Sequence, residues 1–205
     1  IGEGYGVSVP AVEALAAKGT KLIVTVDTGI TASEEVERAR ELGVDFVITD
    51  HHECRAELPA AVAVVNPHRP DDAYPFKELA GVGVIFKVMC ALEEEITHDP
   101  VIDCVRRMLE TYADLVAIGT IADVMPICGE NKIIVKLGLA MMEKTERPGL
   151  VALFRAVSGA QDDRAKAKKR GKISSGFIGY TIAPRINAAG RIRSASIAVE
   201  LFLAD

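Results

Sequence analysis

Two short runs of apolar and β-branched residues, KLIVTVDTG at 21–29 and DFVITDHH at 45–52, most constrain the fold of this chain. Between them lies TASEEVERARELG at 31–43, which has helical spacing, acidic residues in its first turn and Ser33 as the expected N-cap. A continuous apolar run is typical of a strand buried in a parallel sheet. Strand, helix and strand at this spacing predict a right-handed βαβ unit.

The segments that follow extend this unit into an α/β domain. A third strand is predicted at 60–67, and helices are predicted over 78–96 and 101–126, with shorter helices after them. The Gly-rich stretch 174–194 is expected to be mostly irregular. The predicted fold class is therefore α/β, a parallel β-sheet flanked by helices, followed by a helical segment and a connecting helix.

Composition excludes several classes of protein. With 49% hydrophobic and 26% charged residues the chain is globular, and no apolar run approaches the roughly 18–20 residues of a membrane span. Its four cysteines are scattered without a C-x-x-C pair, which predicts reduced thiols and a cytoplasmic location. Residues 1–145 carry 13 Lys/Arg against 24 Asp/Glu, whereas residues 146–205 carry 11 against 5. This asymmetry is compatible with an acidic catalytic body and a basic surface for a polyanion.

Polar groups end the first two predicted strands. Asp27 ends the first, and Asp50, His51 and His52 end the second. Ligands collect at the carboxyl ends of parallel strands, and this donor set suits Mn²⁺, Fe²⁺, Zn²⁺ or Mg²⁺. Since no thiolate takes part, a structural zinc site is disfavoured. The alternatives are that Asp27 is a turn residue and that the histidines are structural.

A further carboxylate, Asp123 in LVAIGTIADVMP, is expected inside an otherwise apolar helix. A buried carboxylate needs a partner, and a cation would supply one, although an N-cap or a salt bridge would also serve. Asp114, nine residues earlier, is expected to be solvated or capping. Several carboxylates and imidazoles are able to hold two ions roughly 3.5–4 Å apart, as phosphodiester hydrolysis requires.

The last part of the chain contains candidate phosphate ligands. The segment APRINAAGR carries Arg185, Asn187 and Arg191 among small residues, which suits phosphate binding, although an exposed basic turn is the alternative. A basic run also precedes this segment, and it predicts either contact with a nucleic-acid backbone or a solvated loop. Its members are Arg164, Lys166, Lys168, Lys169, Arg170 and Lys172.

Six segments together resemble the DHH phosphoesterase superfamily and, within it, the RecJ-like exonucleases. They are IVTVDTGI, VITDHHE, VVNPHR, LAGVGVIFK, DLVAIGTIADVMP and IAPRINAAGR, in the order of the family, and they span nearly the whole chain. The resemblance implies that GVG at 81–83 packs close to the active site and that Arg185 and Arg191 gather phosphate. It also implies that His51 binds a metal or contacts the scissile phosphate. The residues that it implies around two Mn²⁺ or Mg²⁺ ions are Asp27, Asp50, His51, His52 and Asp123.

The activity that this resemblance implies is metal-dependent 5′→3′ digestion of single-stranded DNA to 5′-mononucleotides in DNA repair and recombination. A helicase or a single-strand-binding protein is the expected partner besides the DNA. The alternatives are a phosphoesterase for short oligonucleotides, cyclic dinucleotides or pyrophosphate, and a non-catalytic DNA-binding scaffold.

The domain organisation implied by the resemblance is a catalytic α/β domain over residues 1–160, without its first strand or strands. Residues 161–205 then hold the basic loop, the phosphate-binding segment and the start of a connecting helix. The family's Asp-x-Asp-Gly motif is absent from these residues and is expected upstream, and a smaller domain is expected downstream. One metal position is then incomplete, so this piece alone is expected to be inactive or weakly active.

Overall fold

The structure is a computed structural model that describes residues 6–158, 172–192 and 195–204, with the backbone alone at 158 and at 190–192. The chain forms two compact units, Ile1–Cys104 and Val105–Asp205. Across the described ranges, every helix is too short or too polar to cross a bilayer. Most of the basic run lies outside the described residues, as does the predicted division at residue 160, which stays a prediction.

A parallel three-stranded sheet forms the centre of the first unit, in the order β1-β2-β3. The strands are β1 (Leu22–Val26), β2 (Asp45–Thr49) and β3 (Ala63–Val65). The register places Val24 of β1 beside Val47 of β2. The predicted parallel α/β fold is confirmed. β1 and β2 are shorter than their predicted runs because the polar residues that end those runs lie beyond the ladder, and β3 also begins later than predicted, at Ala63.

Helices cover the sheet of the first unit: α1 (Val9–Ala17), α2 (Ser33–Glu41) and α3 (Gly81–Thr97). The prediction that Ser33 is the N-cap of α2 is wrong. The N-cap is Ala32, and Ser33 is the first helical residue, because the turn after β1 ends one residue earlier than expected. Burial of each large apolar side chain contributes about 1.5–3 kcal/mol. The core beneath α1 and α2 consists of Val12, Val36, Ala39, Val44, Phe46 and Ile48.

The second unit is helical. Its elements are the later part of α4 (Val101–Ala122), α5 (Gly129–Met142), α6 (Pro148–Ser158), α7 (Ser175–Phe177), a π-helical segment (Ile178–Ile182), α8 (Ala183–Ile192) and α9 (Ser196–Leu203). They enclose a core to which Ile121, Met142, Leu150, Phe154, Ile178 and Ile182 contribute.

The expectation that residues 174–194 are mostly irregular is wrong. The described part of this stretch is almost entirely helical, and the Ser174 hydroxyl caps its start by accepting the backbone N–H of Phe177 at 3.1 Å. Glycine disfavours a helix by about 1 kcal/mol, but Ile178 and Ile182 are both fully buried in the core. Their burial outweighs the glycine cost and makes the segment helical.

Asp114 is neither solvated nor capping, contrary to expectation. Its carboxylate is buried and accepts from the Arg147 guanidinium at 3.1 Å, which also donates to the Thr111 carbonyl at 2.7 Å. A buried carboxylate requires such a charged partner, and removing that partner is strongly destabilising. Arg147, far along the chain, supplies a compensation that the sequence around Asp114 does not reveal.

Gly138 of α5 lies against α4 in the second unit. A Cβ atom built there would overlap the carbonyl oxygen of Ala113 and the side chain of Ala117. Because backbone atoms of a helix cannot move aside cheaply, the close approach of these two helices requires glycine at this position.

We expect Gly138→Ala to destabilise the protein by about 1 kcal/mol or more, since the overlap outweighs the gain in helix propensity. Gly176→Ala is the matched control, because the nearest atom to its added Cβ would be Ser174 Oγ at 3.8 Å. Chemical denaturation followed by circular dichroism measures the free energy of unfolding of both variants. Equal stability of the two would contradict the packing argument.

Candidate metal centre

Asp27 follows β1 in a backbone conformation that is unusual for a residue with a side chain. Its φ is +63°, and its N–H donates to the carbonyl of Thr49 in β2 at 3.0 Å. The first residue of α3, Gly81, packs so closely that a Cβ there would overlap the Asp27 side chain and its Cα. Backbone strain of this kind costs about 1–3 kcal/mol and persists where surrounding structure enforces it.

His51 lies next to Asp27 at the carboxyl ends of the two neighbouring strands. Its side chain is 9% exposed, and its Nε2 atom is 3.0 Å from Asp27 Oδ1. The β1–β2 register places Val26 opposite Thr49, so the residues that follow these strands meet at one edge of the sheet. The parallel topology therefore brings together two groups that are separated by 24 residues in sequence.

Asp50 is the buried acceptor around which this edge is organised, with only 1% of its surface exposed. One oxygen, Oδ2, accepts the N–H of Ile30 at 3.0 Å. The other, Oδ1, accepts the N–H groups of His51 at 2.8 Å and His52 at 3.3 Å, and lies 2.7 Å from His52 Nδ1. Both oxygens are thus engaged within the protein, and ligation of a metal by Asp50 stays a prediction.

The electrostatics of Asp50 follow from these bonds. Burial alone raises the pKa of a carboxyl, but the hydrogen bonds from His52 and from three backbone N–H groups outweigh it and hold the pKa of Asp50 below its ordinary value. The ionised carboxylate fixes the His52 imidazole through Nδ1, which leaves Nε2 as the atom that is able to bind a metal.

Asn66, within the run predicted as the third strand, lies directly after β3 and binds the loop that carries His51 and His52, here called the histidine loop. It is fully buried, its Nδ2 donates to the His52 carbonyl at 2.9 Å, and its Oδ1 accepts the N–H of His68 at 2.8 Å. The signal in the sequence was an amide residue directly after a strand, at the same edge as the predicted ligands. Asn66 therefore fixes the backbone that carries His52.

Within the described residues, Asp27, His51 and His52 form the group of metal-binding side chains whose ligand atoms lie within 4.8 Å of one another. Two donors on adjacent positions of an octahedral ion, each at about 2.1 Å, are about 3 Å apart. The 3.0 Å between His51 Nε2 and Asp27 Oδ1 matches this spacing. One carboxylate and two imidazoles fit a Mn²⁺-like ion better than a structural zinc.

Asp123 lies in the second unit, and the expectation that it is buried in a helix is wrong. Helix α4 ends at Ala122, and Asp123 is exposed in the turn that follows. The chain turns away at Val124, whose φ is +59°, and the apolar run before Asp123 carries no residue type that would indicate this turn. Its ligation of a metal stays a prediction.

The predicted phosphate ligands lie on α8. Arg185 and Asn187 are both exposed, and the Arg185 guanidinium donates to the Thr181 carbonyl at 2.6 Å. The side chain of Arg191 lies outside the described residues. Residues two apart on a helix do not face each other, so Arg185 and Asn187 lie on different sides of α8. Phosphate binding by these residues stays a prediction.

The parallel sheet with an Asp-His-His cluster at the carboxyl ends of its strands defines a class of protein. The chain belongs to the DHH family. The protein-family sequence model described as "DHH family, N-terminal domain" matches its residues 5–120.

Named relatives narrow the comparison to one kind of protein. The chain is 42% identical over 203 residues to the single-stranded-DNA-specific exonuclease RecJ of Bacillus subtilis, covering 99% of this chain and 23% of the relative. It is 38% identical over 207 residues to RecJ of Escherichia coli, covering 99% of this chain and 34% of the relative. The chain thus spans about a quarter to a third of the length of these relatives.

Solved structures agree with the sequence relatives. One is exonuclease RecJ bound to manganese, with a TM-score of 0.78 and 37% identity over 98% of this chain and 46% of that chain. Another is RecJ of Thermus thermophilus in complex with Mn²⁺, with a TM-score of 0.75 and 37% identity over 97% of this chain and 27% of that chain.

We expect Gly81→Ala to lower the affinity for Mn²⁺ about 10–100-fold, because the new Cβ would displace Asp27. Gly83→Ala, in the same turn of α3, is the control, since its Cβ would meet only the Leu79 side chain, at 3.1 Å, and none of the proposed ligands. Calorimetric titration with Mn²⁺ measures the affinity of both variants for the ion. Unchanged affinity in Gly81→Ala would show that Asp27 is not a ligand.

We expect Asp50→Asn to lower the free energy of unfolding by about 2–3 kcal/mol at neutral pH, because an amide replaces acceptors that serve several N–H groups. The carboxylate of Asp50 contributes fully above its ordinary pKa of about 3.9, and this contribution is lost as pH falls through the lowered pKa. Chemical denaturation at neutral and acidic pH should therefore show that the free energy of unfolding falls less on acidification in Asp50→Asn than in the parent. Asp45→Asn, at an exposed site, should keep the acid loss of the parent.

Proposed function

We propose that this chain carries part of the catalytic core of a metal-dependent exonuclease that digests single-stranded DNA in the 5′→3′ direction and releases 5′-mononucleotides. The observation that carries the proposal is the Asp27–His51–His52 cluster at the edge of a parallel sheet, in a chain whose named relatives are single-stranded-DNA-specific exonucleases. The direction of digestion and a place in DNA repair and recombination come from the family resemblance.

The proposed cofactor is Mn²⁺ or Mg²⁺, because similar RecJ structures are complexes with manganese or with Mg²⁺. Such ions, when bound, lower the pKa of water and stabilise charge on a phosphoryl group. Asp27 and Asp123 would hold them together with His51 and His52, and Asp50 would take part mainly by holding the His52 ring. A further pair of carboxylates is expected from the upstream Asp-x-Asp-Gly motif.

The exposure of each side chain in the cluster indicates its part in the proposed reaction. His51 is almost enclosed, so it presents a fixed donor atom that water does not easily reach. Asp27 and His52 are half-exposed, with 50% and 60% of their side chains accessible, which leaves the cluster open to an incoming phosphodiester. Proton transfer and charge stabilisation then occur at a site whose geometry is set before the substrate arrives.

The proposed phosphate ligands lie on α8. Arg185 and Arg191, with Asn187, would bind the phosphates of the strand, and Arg185 is exposed at the start of this helix. The proposed substrate is single-stranded DNA in the cytoplasm, and a helicase or single-strand-binding protein would supply it. The basic character of residues 146–205 supports contact with a polyanion.

The test uses the whole protein with Mn²⁺ and single-stranded DNA labelled at either end. We expect early release of the 5′ label as a mononucleotide, and a fall in kcat of more than about 100-fold in Asp27→Asn. Asp45→Asn is the matched control, since it makes the same charge change at an exposed position at the other end of β2. Its activity should equal that of the parent.

Other outcomes would overturn parts of the proposal. Cleavage of dinucleotides or pyrophosphate without digestion of DNA would keep the metal centre and replace the substrate. Inactivity on every substrate, with no Mn²⁺ bound, would favour a non-catalytic scaffold. Release of the 3′ label first would reverse the direction.

A further inference from the structure

Two side chains of the second unit are the most exposed large hydrophobic groups among the described residues. Tyr180 is 88% exposed and Val124 is 87% exposed. A single exposed apolar side chain is common and needs no explanation. These two differ because each is held by an unusual backbone conformation, and the elements that carry them pack against each other.

Val124 ends α4 in a conformation that favours glycine. Its φ is +59°, its N–H donates to the Ile121 carbonyl at 3.1 Å, and the N–H of Met125 donates to the Thr120 carbonyl at 3.2 Å. These two bonds are those of a Schellman motif, in which glycine is the usual residue at the position of Val124. A β-branched residue with positive φ is strained, and a side chain this exposed gains little from packing. Neither packing nor backbone preference accounts for valine here.

Tyr180 is held by the π-helical segment Ile178–Ile182. Pro184 has no N–H to donate to the Tyr180 carbonyl, which interrupts the α-helical pattern, and the N–H of Ala183 donates instead to the Ile178 carbonyl. Ile178 and Ile182, on either side of Tyr180, are fully buried. A π-helical turn is rare and frequently occurs at functional sites. The backbone of Tyr180 is therefore anchored while its ring lies in solvent.

The π-helical segment packs on the last turn of α4. A Cβ built at Gly179 would lie 3.4 Å from Ile121 Cγ2, and Ile121 shares a core with Ile178 and Ile182. Asp123 and Val124 follow Ile121 closely in the chain. The proposed metal ligand Asp123 and the two exposed apolar side chains are thus carried by two elements in contact within one unit.

We propose that Tyr180 is a stacking platform for a nucleobase of the single-stranded DNA, with Val124 as a second apolar contact to the same nucleotide. This inference rests on the proposed function. An aromatic face stacks on any base, which suits an enzyme that digests a strand irrespective of its sequence. Because the backbones at both positions are fixed, little conformational freedom is lost when the nucleotide binds.

The test uses the whole protein with Mn²⁺ and an oligothymidylate substrate, with and without abasic nucleotides near the 5′ end. We expect Tyr180→Ala to raise KM about 5–100-fold, with a smaller effect on kcat, and Tyr180→Phe to stay close to the parent because the ring is kept. Abasic nucleotides should raise KM strongly for the parent and for Tyr180→Phe, and much less for Tyr180→Ala, in which only the contact to Val124 is left to lose. Ile133→Ala, at an exposed apolar position of α5, is the control.

A second variant separates binding from folding. Val124→Gly removes the strain at the end of α4, so thermal stability should rise or stay equal, whereas KM for the DNA should increase. A purely structural role for Val124 would instead lower stability, and no role would leave KM unchanged. Either of those results would overturn the assignment of Val124.

Failure of the inference is distinguishable from failure of the proposed function. If the parent digests single-stranded DNA while Tyr180→Ala has an unchanged KM and an unchanged response to abasic nucleotides, stacking on Tyr180 is wrong and the nuclease remains. If the parent does not digest DNA at all, the proposed function is overturned and this inference with it.

Discussion

The candidate metal centre depends on one buried carboxylate. Asp50 binds the N–H of Ile30 after β1, the N–H groups of His51 and His52 after β2, and the ring of His52. A buried carboxylate without partners is costly, and one with several N–H donors is favourable in its ionised form. The charge of Asp50 is therefore compensated by these donors, and the same carboxylate joins the two loops that carry the candidate metal-binding side chains. Asn66 repeats this arrangement with an uncharged amide on the other side of the histidine loop.

Unusual backbone conformations occur beside the proposed ligands in both units. Asp27 has a φ of +63°, and Val124, immediately after Asp123, has a φ of +59°. Each of these conformations is destabilising by itself, so each must be enforced by its surroundings. At Asp27 the enforcing contact is the close packing of Gly81, and at Val124 it is the pair of hydrogen bonds that ends α4. Both strained positions thus lie where a proposed ligand follows the end of a regular element.

The fold and part of the candidate site could be predicted from the sequence because they follow from local patterns. Continuous apolar runs indicated the parallel strands, and their polar ends indicated Asp27, His51 and His52. The helical nature of residues 174–194 could not be predicted, because core burial overrides the glycine content there. The Asp114–Arg147 pair depends on a contact between residues 33 positions apart, which no local pattern reports, and the role of Asn66 depends on its hydrogen bond to the His52 carbonyl.

The bonds around Asp50 and Asn66 have a consequence for the order of folding. Asp50 bonds to a residue 20 positions before it, and Asn66 bonds to one 14 positions before it. Short separations of this kind lower the entropy lost on loop closure and speed folding. The Asp27–His51–His52 cluster therefore belongs to a contiguous stretch of chain that is able to form early. These three side chains are thus able to come together while the second unit is still being synthesised.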